Sequence, residues 1–107
     1  MTNYSKMNDR DIDRLVLKVI YGVHAYDKDI QGCWSRGGFK YTTNPTDAMP
    51  IIIENRIGII PAPEKGLWKA AHRKIGNDST PYHMTQDENP LRAAMIVFLQ
   101  MQENNHD

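Results

Sequence analysis

The chain has 107 residues and a mass of 12.3 kDa, with 13 basic and 13 acidic side chains and a formal net charge of zero. Domains most often have about 100–150 residues, so this length predicts a single domain over residues 1–107. Zero net charge argues against a general polyanion binder, because affinity for phosphate backbones needs a surplus of Lys and Arg. The single Cys33 excludes an internal disulfide and any zinc site built on several thiolates.

The sequence predicts no membrane partner and a cytoplasmic location. No apolar run approaches the length of about 20 residues that is needed to span a bilayer. Residues Met1 to Tyr4 do not open a secretory signal.

The first predicted element is an amphipathic helix over residues 9–21. Its apolar residues follow the i, i+3, i+4, i+7, i+8 spacing of one helical face: Ile12, Leu15, Val16, Val19 and Ile20. Asn8 or Asp9 can cap its start, and Gly22 is a typical stop. The following residues 23–43 hold no period for long and predict a long loop, with a short strand at Phe39 to Thr42.

The second predicted helix covers residues 45–56 and begins at Asn44-Pro45, a capping residue followed by proline at the first helical position. Pro50 is expected to bend or tighten its first turns. The run Ile51 to Ile53 is also compatible with a buried strand, although the cap favours a helix.

A hairpin is predicted over residues 57–75, with strands on either side of the Pro63 to Gly66 turn. Residues Tyr82 to Thr85 predict a third strand. Asn89-Pro90 then opens a helix over residues 90–102 that is apolar around most of its girth.

The C-terminal helix leaves only a narrow polar strip at Arg92, Gln100 and Glu103. It must therefore be covered on more than one side, either by the sheet and a second helix or by a second subunit. Both alternatives stay open, and the second predicts a homodimer through this helix. The order of elements predicts an α+β fold: an α-β-α sandwich with a small antiparallel sheet of two to four strands and three helices.

Two segments and one tryptophan resemble the NinX family of small lambdoid-phage proteins and the related phage ABA sandwich domain. They are residues 41–57 (YTTNPTDAMPIIIENRI), residues 89–99 (NPLRAAMIVFL) and Trp68 between them. The resemblance implies a phage or prophage origin, an α-β-α sandwich and a location in the bacterial host cytoplasm. It implies no catalytic residues and no cofactor.

The segment from residue 34 to residue 44 is the best candidate for ligand binding. Two cations, two glycines that permit close backbone approach, three aromatic rings (Trp34, Phe39 and Tyr41) and a helix start are combined there. The candidate residues are Trp34, Arg36, Gly37, Gly38, Lys40, Tyr41 and Asn44. Together they are compatible with a phosphate or nucleotide ligand. The alternative stays open that Gly-Gly is ordinary turn material and that Phe39 and Tyr41 are core strand residues.

Other chemistry finds less support in the sequence. The four histidines, His24, His72, His83 and His106, do not stand at a metal-ligand spacing, so no metal site is predicted. Cys33 or Ser35 with a histidine as base is the basis of an alternative hypothesis, a small hydrolase or nucleotide-modifying enzyme, but neither lies in a known nucleophile motif.

A second alternative is a weak nucleic-acid binder that uses Lys69, Arg73 and Lys74 on one strand. The leading hypothesis is a non-enzymatic phage accessory protein that binds a host protein or a small nucleotide-type ligand.

Overall fold

The computed structural model of the chain describes residues 3–72 and 83–104. Four α-helices lie at Asp9–Tyr21 (α1), Lys28–Ser35 (α2), Pro45–Glu54 (α3) and Pro90–Asn104 (α4). Three strands lie at Gly58–Pro61 (β1), Trp68–His72 (β2) and His83–Asp87 (β3), and two short 3₁₀ helices lie at Tyr4–Lys6 and Gly22–Tyr26. The mixed α+β class is confirmed, with four helices in place of the predicted three.

The helix starts follow their capping residues. The side chain of Asn8 accepts a hydrogen bond from the Asp11 backbone N–H at 2.8 Å, and α1 begins at the next residue. At α3 the side chain of Asn44 accepts from the Thr46 N–H at 3.0 Å, with Pro45 at the first helical position. The helix continues through Pro50, so the helical interpretation of residues 51–53 is confirmed and the strand alternative is wrong.

The sheet is antiparallel with the order β1-β2-β3. Its register pairs Ile59 with Ala70 and Ala70 with Thr85. The predicted hairpin is confirmed as far as His72, and the predicted third strand is confirmed at His83–Asp87. The described residues do not include 73–75, Tyr82 or His106. The proposed nucleic-acid contacts Arg73 and Lys74 therefore lie outside them.

Helix α4 is the centre of the core. It contacts all three strands together with α1 and α3. Every residue from Arg92 to Leu99 is buried, and Met95 to Leu99 are at most 4% exposed. One chain therefore covers the apolar girth of α4, and its burial requires no second subunit.

Only one face of the sheet turns toward α4. Ala70 is fully buried there, and the Gln100 amide donates a hydrogen bond to the Thr85 hydroxyl at 3.1 Å. Paired residues point to the same face, so the opposite face displays Ile60 and Met84, which are 56% and 40% exposed. In the part of the chain that the structure describes, helices on both faces of the sheet are therefore not seen.

The prediction of a loop at residues 23–43 is wrong in part, because helix α2 and most of the 3₁₀ helix Gly22–Tyr26 lie within that range. The apolar signal of α2 is limited to half-buried Ile30 and Trp34, with Gly32 between them. A single i, i+4 pair interrupted by glycine gives too little periodicity to predict a helix.

The predicted strand at Phe39 to Thr42 is also wrong. Phe39 has a φ of 61°, and the Asn44 N–H bonds to the Lys40 carbonyl at 2.8 Å. This turn positions α3, because the Lys40 N–H donates to the Asp47 carboxylate at 2.9 Å.

Candidate functional site

The segment from Trp34 to Asn44 is held in place by Arg10 of α1. Its guanidinium donates hydrogen bonds to three backbone carbonyls of the segment, those of Trp34, Gly38 and Phe39, at 3.2, 3.0 and 3.0 Å. It also lies 3.6 Å from the centre of the Trp34 ring. Arg10 therefore fixes the path of the segment and covers one side of the indole.

The carboxylate of Asp13 completes this support. It is 2% exposed and accepts hydrogen bonds from the Thr42 N–H at 2.9 Å and from Arg10 at 3.2 Å. The side chain of Asn89, just before α4, donates to the Thr42 carbonyl at 2.6 Å. The backbone of the segment is thus tied to α1 and to the start of α4.

The two glycines of the segment serve its tight packing against α2. Gly37 has a φ of 88°. A Cβ atom on Gly38 would lie 2.4 Å from the Cys33 sulfur and 2.9 Å from the Cys33 carbonyl oxygen. Glycine is therefore required at position 38 for packing, and the backbone there faces Cys33.

The predicted cations do not converge on Trp34. The Arg36 guanidinium lies beside Gly32 on α2, where a Cβ would be 3.2 Å from its Nη1 atom. The Lys40 side chain lies beside Gly37, with its Cε atom 3.7 Å from where a Cβ would be. Both residues are exposed.

Tyr41 and Asn44 are also separated from Trp34. Tyr41 is 5% exposed and stacks on Phe39 with ring centres 6.2 Å apart. Burial raises the pKa of the Tyr41 hydroxyl well above its usual range, and the nearby Tyr21 and Asp47 raise it further. Asn44 caps α3, and the Asp47 carboxylate adds negative charge to that helix start.

Trp34 instead lines a small pocket between α1, α2 and the 3₁₀ helix Gly22–Tyr26, which we call the Trp34 pocket. It has a volume of about 90 Å³. Its lining combines two cations, two aromatic rings, an amide and an apolar floor: Arg14, Lys18, Tyr26, Trp34, Gln31, Leu17 and Ala25. No carboxylate lines this pocket within residues 3–72 and 83–104.

Arg14 and Lys18 were missed by the sequence reasoning. Arg10, Arg14 and Lys18 recur at every fourth position of α1, so they share one helical face. This cationic row is visible in the sequence. Its relation to Trp34 is not, because α2 itself was not predicted.

The residues of the enzyme hypothesis lie on different elements. Cys33 and Ser35 are on α2, whose main contacts are with the 3₁₀ helix Gly22–Tyr26, whereas His72 and His83 are on the sheet beneath α4. His24 is engaged with Asp27 at 3.0 Å. This arrangement gives no support to nucleophilic catalysis by these groups.

His72 and His83 are cross-strand partners, and their rings stack at a centre distance of 6.5 Å. Burial lowers the pKa of His83, and the neighbouring His72 lowers it further. Among the described residues, no three His, Cys, Asp or Glu side chains come together in a way that could hold a metal ion. The described helices include none with the length and apolar character required to cross a membrane.

Comparison with known proteins gave a family match. The family model described as Bacteriophage P22, NinX matches residues 3–102, nearly the whole chain. Neither the curated proteins nor the solved structures gave a significant match.

Proposed function

Since the chain belongs to the NinX family of phage proteins, we propose that it is a non-enzymatic binding protein for a small nucleotide-type ligand. The ligand is held at the Trp34 pocket through a phosphate group. Its place of action is the bacterial host cytoplasm, where phage genes are expressed. The observation that carries the proposal is the convergence of Arg14 and Lys18 with Tyr26 and Trp34 around one concave site.

The charges of the pocket support an anionic ligand. Arg14 and Lys18 are separated by one helical turn of α1, and both are exposed. Neither forms an ion pair with a carboxylate among the described residues. Their charges are therefore available to a phosphate, which arginine binds with two parallel hydrogen bonds and lysine binds as a point charge.

The aromatic groups of the pocket support a ligand that also carries a flat ring. Tyr26 is 67% exposed, so its ring can stack on a base. Trp34 is half-buried and already contacts Arg10, which fixes the orientation of the indole. Gln31 holds its amide in the pocket by donating to the Ala25 carbonyl at 2.7 Å.

The volume limits how the ligand is bound. Pockets for drug-sized ligands measure about 300–1,000 Å³, whereas this one measures about 90 Å³. The pocket therefore takes a single group, the phosphate, while the base lies over Tyr26 on the surface. Such partial enclosure favours modest affinity.

The test is a fluorescence titration with ADP on the Trp68→Phe variant, in which Trp34 is the remaining tryptophan. We expect saturable quenching of Trp34 by ADP. Adenosine lacks the phosphates and should bind at least about tenfold more weakly, since hydrogen bonds to charged groups contribute about 1.5–3 kcal/mol. Inorganic pyrophosphate should compete with ADP.

Two matched double variants locate the site. Arg14→Gln with Lys18→Gln removes the pocket cations and should abolish the response to ADP. Arg36→Gln with Lys40→Gln removes the two cations predicted from sequence, which lie outside the pocket, and should leave it unchanged. Loss of ADP binding in the second pair alone, or no response of the unmodified protein, would refute the proposal.

A further inference from the structure

A second concave surface lies at the C-terminal turn of α1, between that turn and α3. We call it the acidic groove. It has a volume of about 290 Å³, and its lining includes Ile20, Tyr21, Phe39, Tyr41, Asp47 and Glu54. It shares no lining residue with the Trp34 pocket.

The walls of this groove differ in chemistry. One wall is aromatic: Tyr21 meets Phe39 edge-on with ring centres 5.7 Å apart, and Phe39 stacks on Tyr41. The other wall is the face of α3 that carries Asp47 and Glu54. These two carboxylates are seven residues apart, which corresponds to about 10 Å along a helix.

The charged side chains that line the groove are all negative among the described residues. Asp47 and Glu54 line it, and no lysine, arginine or histidine does so within the described part of the chain. The raised pKa of Tyr41, to which both burial and the Asp47 charge contribute, reflects the same negative surroundings. Within residues 3–72 and 83–104, the Glu54 carboxylate has no hydrogen-bond or ion-pair partner.

We propose that the acidic groove binds a lysine or arginine side chain of a protein partner. Its carboxylates pair with the cation, and its aromatic wall contacts the alkyl stem and, for arginine, the planar guanidinium. Ile20 is 45% exposed at the rim and supplies an apolar contact for the peptide that carries this side chain. This site takes a positive ligand, whereas the Trp34 pocket takes a negative one, so the two sites are independent.

The test uses three short capped peptides: Ac-Gly-Arg-Gly-NH₂, Ac-Gly-Lys-Gly-NH₂ and the citrulline analogue of the first. Citrulline has nearly the shape of arginine but no charge. We expect the Arg and Lys peptides to shift the NMR resonances of Tyr21, Phe39 and residues 46–54 saturably at millimolar concentrations, as a single charged side chain permits. The citrulline peptide should cause no saturable shift.

Conservative variants test the carboxylates. Glu54→Gln should weaken binding of the Arg peptide about twofold to fivefold, the usual range for an exposed ion pair. Asp47→Asn keeps an oxygen for the Lys40 N–H and should add a similar loss. Glu64→Gln, in the exposed β1–β2 turn, is the matched control and should change nothing.

The proposal would be overturned if the citrulline peptide bound as tightly as the Arg peptide. It would also be overturned if the Asp47→Asn, Glu54→Gln double variant bound the Arg peptide with unchanged affinity, or if the NMR shifts were confined to residues outside the groove. None of these outcomes bears on ADP binding at the Trp34 pocket. The two proposals can therefore fail separately.

Discussion

Replacing Arg10 by methionine should destabilise the protein by about 2–3 kcal/mol. The change removes the donor of three hydrogen bonds to carbonyls and of one to Asp13. Removing one partner of a fully buried ion pair costs about 3–5 kcal/mol, because the remaining charge is left uncompensated. Asp13 is 3% exposed in its side chain, but Arg10 is 37% exposed, so we expect a smaller cost.

The assay is thermal unfolding followed by circular dichroism. For a domain of this size, the loss corresponds to a decrease of about 10–15 °C in Tm. Arg14→Met is the matched control, one helical turn away. Its guanidinium lies 5.1 Å from the Trp34 ring centre and donates none of the three carbonyl hydrogen bonds, so the change should cost at most about 1 kcal/mol, the range for an exposed cation–π contact.

A double-mutant cycle tests the role of Asp13. In Asp13→Asn the side chain keeps an oxygen for the Thr42 N–H but loses its charge. The Arg10→Met change should therefore cost clearly less in that background. Equal destabilisation by Arg10→Met and Arg14→Met, or additive costs in the cycle, would refute the role assigned to Arg10.

Three further predictions concern other parts of the molecule. Gly38→Ala should destabilise the fold by about 1–3 kcal/mol in urea unfolding, because its Cβ would overlap the Cys33 sulfur and carbonyl; full stability would contradict the packing described. Arg92→Met should lower the free energy of unfolding by about 2–4 kcal/mol in the same assay, because the buried guanidinium bonds to two carboxylates and to backbone carbonyls near the start of the chain. A decrease of less than about 0.5 kcal/mol would contradict this role of Arg92. In the folded protein the pKa of His83 lies below its usual value, so the unfolded chain binds a proton at this histidine more readily than the folded protein does. Stability should then fall as the pH decreases through about 6.5. His83→Gln should flatten that dependence between pH 7.5 and 5.5, and an unchanged slope would contradict the inference.

The elements that could be predicted from sequence are those whose signals are local. The Asn44-Pro45 cap and the proline-to-glycine turn of the hairpin act on neighbouring backbone groups, so the sequence is sufficient to predict α3 and the β1–β2 connection. Helix α2 escaped prediction because its one apolar pair, Ile30 and Trp34, gains burial only from tertiary contacts.

Contacts between residues far apart in the sequence explain the remaining differences between prediction and structure. Arg92 belongs to the predicted polar strip of α4, yet it is only 9% exposed. Its charge is surrounded by the carboxylates of Asp9 and Asp87 and by three backbone carbonyls, those of Tyr4, Ser5 and Met7. The Trp34 pocket could not be predicted either, since it requires the relative placement of α1 and α2. Periodicity reports which face of a helix is apolar, but it does not report which element lies against that face.

The position of α4 in the sequence has a consequence for synthesis on the ribosome. Helix α1, helix α3 and the sheet all contact α4, and all of them are translated before it. Until α4 emerges, the apolar sides of these elements have no common surface to cover them. A chain released early, before residue 90, would lack the centre of its core and would be a substrate for host proteases and chaperones.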